Sequence, residues 1–264
     1  MKVSVSLVFV GLLLIISCSK VPISGRRQLN LLPESQMISL SIQQYDAFLK
    51  EHPEIPLSDP RAQMVNRVGQ NIAKAVEQFL KDDNQSKRVK GFQWDFRLVD
   101  DKLVNAWCMP GGKVVVYTGI LPITEDEEGL AVVMGHEVAH AIARHGNERM
   151  SQQLAIQGGG MTLGVLTAQQ PQLTQNIFNQ AYGVGSTLGS LAHSRKHETE
   201  ADKLGLIFMA LAGYNPETAP LFWKRMSANG GGNVPELLST HPSDEKRIAD
   251  IEEFMQEALN YYKK

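Results

Sequence analysis

The chain has 264 residues, of which 43% are apolar and 20% are charged, and its formal net charge is −2. These values describe a globular protein with a sizeable core and exclude a disordered or fibrous chain. The 26 basic residues do not outnumber the 28 acidic ones, so we expect no nucleic-acid partner. Two cysteines, Cys18 and Cys108, are too few for a disulfide framework, and Cys108 is predicted to be buried.

The N-terminus has the pattern of an export signal. Lys2 precedes an apolar run that ends just before Cys18, and this run is shorter than a membrane-spanning helix. The segment IISC at 15–18 resembles the bacterial lipobox, in which the cysteine is lipidated. By that resemblance, residues 1–17 are a lipoprotein signal peptide, and the protein is anchored to the bacterial outer membrane and faces the periplasm. Residues 18–33 show little periodicity and are predicted to be a tether. A retained N-terminal anchor helix is the alternative.

The rest of the chain is predicted to be mostly helical, with a small β-sheet. Apolar spacing predicts helices over about 34–49, 59–80, 124–153, 191–211, 216–227 and 243–260. Alternating apolar and polar residues predict a strand over 94–99, a β-branched run predicts one over 113–118, and 104–109 is a short strand candidate. Thr124 and Glu127 are interpreted as a capping box at the start of the third helix. Residues 154–191 are rich in Gly, Gln, Ser and Thr, which predicts a mobile or loosely helical lid.

The clearest chemical signal is the sequence HEVAH at 136–140. Histidines four positions apart lie on the same face of a helix, so His136 and His140 can bind one zinc ion. Glu137 lies beside that face, where its carboxylate can take a proton from a water molecule at the ion. Such a motif also arises by chance, but the surrounding apolar helix favours a metal site.

A third ligand must come from another part of the chain. The metzincin class is excluded, because the chain has Ala143 and Gly146 where that class has glycine and histidine. In a later helical segment, Glu198 and Asp202 are four residues apart and share a face, whereas Glu200 lies on the other side. The spacing therefore predicts Glu198 as the ligand and Asp202 as the partner that orients a ligand histidine.

Three further histidines are interpreted as lying away from the metal. His145 is five residues beyond His140, which places it off the ligand face of a continuous helix. His193 and His197 are four residues apart and could form a rival metal pair. Because the residues around them lack apolar periodicity, a solvent-exposed helix face is favoured instead.

Taken together, HEVAH and the later sequence ETEAD at 198–202 resemble the zinc metallopeptidases of the HtpX and CAAX prenyl endopeptidase family. The similarity extends to residues 105–107, 110–112, 118–119 and 240–243 and to Arg247. The chain most resembles the BepA/LoiP-like periplasmic lipoproteins, but without their repeat domain. It differs from the integral-membrane members of the family in having no transmembrane spans around the motifs. The resemblance implies that 34–264 form an α+β, mostly helical, zincin-like (gluzincin) domain with one Zn²⁺.

The resemblance also implies roles for residues outside the two motifs. Asn105 and Ala106 would lie on an edge strand that pairs with an extended substrate, an arrangement that recognises backbone more than side chains. His241 would either stabilise the oxyanion or take the fourth zinc position and hold the enzyme inactive. Without the resemblance, His241 would be interpreted as part of a helix-entry turn. Arg247 would pair with a carboxylate near the site.

Two functions are compatible with the sequence. The complete set of His136, Glu137, His140 and Glu198 favours a zinc-dependent endopeptidase that hydrolyses misfolded or misassembled envelope proteins. The alternative is a chaperone-like lipoprotein that binds such clients with little or gated proteolysis. In both cases we expect unfolded polypeptides as partners and contact with the membrane through a lipid on Cys18.

Overall fold

The computed structural model describes residues 18–157, 171–182, 194–228, 236–241 and 245–262. Its strands are β1 (Cys18–Lys20), β2 (Arg27–Leu29), β3 (Asp95–Val99), β4 (Ala106–Met109) and β5 (Lys113–Tyr117). Its α-helices are α1 (Glu34–Glu51), α2 (Pro60–Asp82), α3 (Leu121–Thr124), α4 (Glu127–Ile142), α5 (His145–Gln157), α6 (Pro171–Tyr182), α7 (Arg195–Leu211), α8 (Ala219–Ala228), α9 (Glu236–Thr240) and α10 (Glu245–Leu259). The predicted α+β, mostly helical fold is confirmed. None of the helices in these ranges has the length and hydrophobicity needed to cross a membrane.

A three-stranded sheet separates two hydrophobic clusters. Its central strand, β5, is parallel to β3 and antiparallel to β4. Because successive strand residues point to opposite faces, Val114 and Val116 pack with α2 and α4, whereas Val115 and Tyr117 pack with α1, α5 and α6. Both faces of the sheet are therefore covered. Cys108 of β4 is buried in the first cluster, as predicted.

The helix that carries the HEVAH motif, α4, starts later than predicted. Asp126 caps it, since its side chain accepts a hydrogen bond of 2.9 Å from the backbone N–H of Gly129. The Thr124 hydroxyl instead donates to the carbonyl of Leu121 at 3.0 Å. The predicted capping box between Thr124 and Glu127 is therefore wrong, because Thr124 closes the preceding short helix, α3.

A sharp break divides the predicted helix over 124–153 into α4 and α5. Arg144 adopts a φ of 60°, in the left-handed region that non-glycine residues seldom occupy. One residue in that conformation changes the direction of the chain, and α5 begins at His145. His145 consequently lies against His140 rather than on a different face of the same helix.

Two glycines allow α4 and α7 to cross at close range. A Cβ atom on Gly135 would lie 2.9 Å from the carbonyl oxygen of Gly205, and one on Gly205 would lie 2.9 Å from the backbone nitrogen of His136. A larger residue at either position would have to push one backbone away from the other. This close approach lets Glu198 and Asp202 on α7 reach the histidines on α4.

Residues 18–33, which the sequence predicts to be a tether, pack against the rest of the domain. The strands β1 and β2 form an antiparallel hairpin. The side chains of Val21, Gln28 and Leu32 are buried, and Arg26 forms ion pairs with two helices. Both strands are too short to show an alternating pattern, and the ion pairs join residues that are far apart in the sequence, so local patterns gave no sign of this packing.

The predicted lid over 154–191 lies only partly within the described residues. Inside it, residues 171–182 form the regular helix α6, whose Ile177 and Phe178 side chains pack in the same cluster as Met150 of α5. Residues 158–170 and 183–193 lie outside the described ranges, and His193 is among them.

Candidate metal centre

Four side chains converge where α4, α7 and the end of α9 meet. His136, His140, Glu198 and His241 place their ligand atoms within 4.8 Å of one another, and all four residues are buried. The Nε2 atoms of His136 and His140 are 3.0 Å apart. His241 Nδ1 lies 3.2 Å from His136 Nε2 and 3.2 Å from Glu198 Oε1, and Glu198 Oε1 lies 3.4 Å from His140 Nε2.

These separations fit a tetrahedral zinc site. Four ligands at zinc–ligand bond lengths of 2.0–2.1 Å have donor atoms about 3.3 Å apart. Imidazole nitrogens and a carboxylate oxygen are also the donor types that zinc takes in proteins. The four residues can therefore hold one zinc ion. Three of them, His136, His140 and Glu198, are the predicted ligands.

Glu137 lies beside the four converging side chains without joining them. Its Oε1 atom is 3.6 Å from Nε2 of His241. That oxygen is buried and has no hydrogen-bond partner among the described residues. Burial raises the pKa of the Glu137 carboxyl to about 7. A carboxyl group with a free oxygen and a near-neutral pKa can take and return a proton at ordinary pH.

Asp202 supports His136 at the ring nitrogen away from the other ligand atoms, and Arg247 contacts both Asp202 and the Glu198 carboxylate. Asp202 Oδ1 lies 2.9 Å from His136 Nδ1, so Nδ1 carries the proton and Nε2 faces the other ligand atoms. Arg247 donates two hydrogen bonds of 2.7 Å to the Asp202 carboxylate, and its guanidinium carbon lies 3.7 Å from the centroid of the Trp223 ring. Burial raises the pKa of Asp202, but the charge and hydrogen bonds of Arg247 outweigh it and hold that pKa below its usual value.

A second cluster, behind His140, was missed by the sequence analysis. His145 Nδ1 lies 2.9 Å from His140 Nδ1, and His145 Nε2 lies 3.1 Å from Glu200 Oε2. His197 stacks on His145 with ring centroids 4.4 Å apart, and its Nε2 lies 3.1 Å from Glu148 Oε2. His145 is not among the four converging side chains, as expected, but the break after α4 brings it against the far side of the His140 ring, which was not expected. His197 is buried rather than exposed to solvent, because α5 covers its side of α7.

The start of the predicted substrate strand is contacted by segment 236–241. In the described sheet β4 is an edge strand, and the backbone N–H of Ala106 donates to the side-chain oxygen of Asn105 at 2.9 Å. The carbonyl of Val104 accepts a hydrogen bond of 3.1 Å from the backbone N–H of Leu237. Segment 236–241, which also carries His241, therefore contacts the chain at Val104, immediately before the predicted substrate residues Asn105 and Ala106.

Comparison with known proteins finds related peptidases. The model of peptidase family M48 matches residues 67–255. The mitochondrial metalloendopeptidase OMA1 of Schizosaccharomyces pombe is 34% identical over 90% of this chain and 66% of its own length. Human mitochondrial metalloendopeptidase OMA1 is 28% identical over 90% of this chain and 46% of its own length. The beta-barrel assembly-enhancing protease of Escherichia coli is 29% identical over 59% of this chain and 33% of its own length. The chain thus spans 33% to 66% of the length of these curated relatives.

These comparisons correct two expectations. The expected closeness to the BepA-like lipoproteins is not supported, because the beta-barrel assembly-enhancing protease of E. coli matches 59% of the chain whereas the S. pombe and human OMA1 proteins each match 90% of it. The predicted bacterial outer-membrane location, facing the periplasm, is contradicted, since the OMA1 relatives are named mitochondrial. A short apolar segment at an N-terminus indicates targeting, but its pattern does not identify the membrane.

Proposed function

The chain belongs to peptidase family M48, and from that premise we propose that it is an OMA1-like zinc-dependent endopeptidase. His136, His140 and Glu198 are its metal ligands, and Glu137 is its general base. The observation that carries this proposal is that the Nε2 atoms of His136 and His140 lie 3.0 Å apart and each lies 3.4 Å from an oxygen of the Glu198 carboxylate. Beside them lies a buried carboxyl oxygen of Glu137 with no hydrogen-bond partner among the described residues.

The surrounding side chains support hydrolysis of a peptide bond. A zinc ion in this site supplies a Lewis acid, which brings the pKa of water close to neutrality and polarises a carbonyl group. Asp202 and Arg247 hold His136 in the orientation and tautomer that ligation requires. Glu137 takes a proton from the attacking water and returns it to the amine nitrogen of the cleaved bond.

The edge of β4 supports an extended polypeptide as the substrate. A substrate strand would add to the sheet beside Asn105 and Ala106 through backbone hydrogen bonds, which select an extended conformation more than a particular sequence. Folded proteins rarely offer such a free segment. Misfolded or misassembled polypeptides are therefore the proposed substrates.

The position of His241 supports gated rather than constant proteolysis. Its Nδ1 atom lies in the fourth ligand position, and through Leu237 the segment that carries it contacts Val104, two residues before β4. A catalytic zinc site needs an open position for water. The described arrangement is accordingly a resting form, and substrate entry requires segment 236–241 to move.

Membrane attachment through a lipid on Cys18 is also proposed. Cys18 is the first residue of the hairpin, so a lipid there would place the domain next to a membrane surface. Mass spectrometry of the purified protein tests this proposal. An acylated N-terminal Cys18 supports it, and an unmodified cysteine contradicts it.

A cleavage assay separates the endopeptidase from the chaperone-like alternative. Purified protein, and a His241→Ala variant with the fourth position opened, are incubated with casein and with a reduced, unfolded client. We expect fragments that disappear with a chelator and return with added zinc. If neither protein produces fragments while both suppress client aggregation with or without the chelator, the endopeptidase proposal is wrong.

A further inference from the structure

Arg26, in the turn between β1 and β2, joins α5 to α7, one of the helices that carry the converging side chains. Its two Nη atoms each lie 2.7 Å from an oxygen of Glu148 on α5. Its Nε donates to Oε1 of Glu200 on α7 at 2.9 Å. A planar guanidinium with five donors can bind both carboxylates at once, whereas a lysine ammonium cannot match this geometry.

Hydrogen-bond directions connect this ion cluster with the metal ligand. Ser24 and Arg26 both donate to the Glu200 carboxylate, which then accepts at Oε2 from Nε2–H of His145. With its proton on Nε2, His145 presents a lone pair at Nδ1, so His140 must donate from its own Nδ1–H. The Nε2 atom of His140 is thereby left unprotonated among the ligand atoms, as a metal requires.

From this chain of contacts we propose that Arg26 is a positioning residue for the metal. It acts through Glu200 and His145 to fix the ring orientation and tautomer of His140. This inference rests on the proposed function, because it needs a metal ion at the HEVAH motif. By this proposal the N-terminal hairpin supports the metal centre. A chain with a displaced hairpin would keep all of its metal ligands but bind zinc less tightly.

Burial explains why Arg26 is needed. Glu148 and Glu200 are only 5% and 8% exposed, and both accept hydrogen bonds from the same guanidinium. Removal of Arg26 leaves the buried carboxylates of Glu148 and Glu200 without their counter-ion, so they must become hydrated or move apart. Movement of Glu200 releases His145, and the stacked ring of His197 moves with Glu148.

The test compares zinc affinity, by competition with a chromophoric chelator, among variants of the full chain. Arg27 is an exposed neighbour of the same charge, so Arg27→Ala is the matched control and should bind like wild type. Arg26→Ala and Arg26→Lys should each weaken zinc binding by about 10–100-fold, the usual effect of changing a group that orients a ligand. The visible spectrum of the cobalt-substituted protein should change in both Arg26 variants and not in the control.

A second pair of variants keeps the proposal testable if the Arg26 variants fold poorly. His145→Asn retains an oxygen that can accept from His140, so it should bind zinc more tightly than His145→Leu. Equal zinc affinity in this pair, or a wild-type affinity and cobalt spectrum in Arg26→Ala, overturns the positioning role. Failure of the wild-type protein itself to bind zinc would instead overturn the proposed function.

Discussion

Asp202 Oδ1 lies 2.9 Å from Nδ1 of His136, and both residues are buried. This contact fixes the rotation of α7 relative to α4. Glu198, one turn earlier on the same face, reaches the ligand atoms of His136 and His140 at 3.4 Å. Glu200 points to the other side, where it accepts hydrogen bonds from Arg26. The rotation of one helix thus separates the proposed ligand carboxylate, Glu198, from Glu200, which is proposed to support another ligand.

Zinc content should distinguish the roles of the α7 carboxylates. Glu198→Gln is expected to purify with little zinc, because it removes one of three ligands. Asp202→Asn should keep its zinc but bind it about 10–100-fold more weakly, since it changes only the partner of a ligand. Glu257→Gln, on the exposed face of α10, is the control. A fully loaded Glu198→Gln would show that the third ligand has been misassigned.

Removal of the His241 imidazole from the fourth ligand position should activate the enzyme. His241→Ala leaves His136, His140 and Glu198 in place, so zinc should remain at one ion per chain. The opened position should raise the rate of cleavage of an unfolded substrate several-fold. If the rate falls instead while zinc is retained, His241 stabilises the transition state and does not lock the resting form.

The close crossing of α4 and α7 at Gly135 and Gly205 should not tolerate an added methyl group. In an ordinary helix, Gly→Ala adds about 1 kcal/mol of stability. At Gly205 the new Cβ would lie 2.9 Å from the backbone nitrogen of His136, so Gly205→Ala should instead destabilise the fold by about 1–3 kcal/mol and reduce zinc retention. Thermal unfolding and metal analysis measure both effects. An unchanged or higher unfolding temperature would contradict the close crossing.

The Arg26 cluster should make stability depend on pH in the acid range. Burial raises the pKa of Glu148, but hydrogen bonds from Arg26 and His197 outweigh it and hold that pKa well below 4.5. A carboxyl group of this kind stabilises the fold above its unfolded pKa, and the stabilisation is lost as the pH falls towards the folded pKa. The difference in free energy of unfolding between wild type and Glu148→Gln should therefore be constant above about pH 6 and shrink below about pH 4.5. Urea titrations at several pH values measure it, and a difference that stays constant down to about pH 2 would contradict this account.

Local patterns were sufficient to find the motif and most of the helices. HEVAH specifies a geometry within one turn and a half of helix, so the approach of His136 to His140 follows from spacing alone. The β-branched run of β5 likewise predicts a strand, and the structure buries that strand on both faces. Glu198 could be selected over Glu200 only because Asp202 shares its face.

The second cluster could not be found in this way, because it depends on the backbone conformation of one residue and on contacts between residues that are far apart in the sequence. His145 reaches His140 through the left-handed conformation of Arg144, for which the sequence gives no clear signal. Arg26 lies 122 residues from Glu148 and 174 from Glu200, so no periodicity connects them. The predicted location failed for a different reason: an N-terminal signal pattern does not identify one membrane.

The central claim is that Glu137 is the general base of a zinc endopeptidase. Its most direct test measures zinc content and the rate of casein cleavage for wild type and Glu137→Gln, purified side by side. The variant should carry as much zinc as wild type, because Glu137 is not a ligand, and cleave about 10²–10⁴-fold more slowly. A zinc-loaded Glu137→Gln that cleaves casein at the wild-type rate would contradict the account.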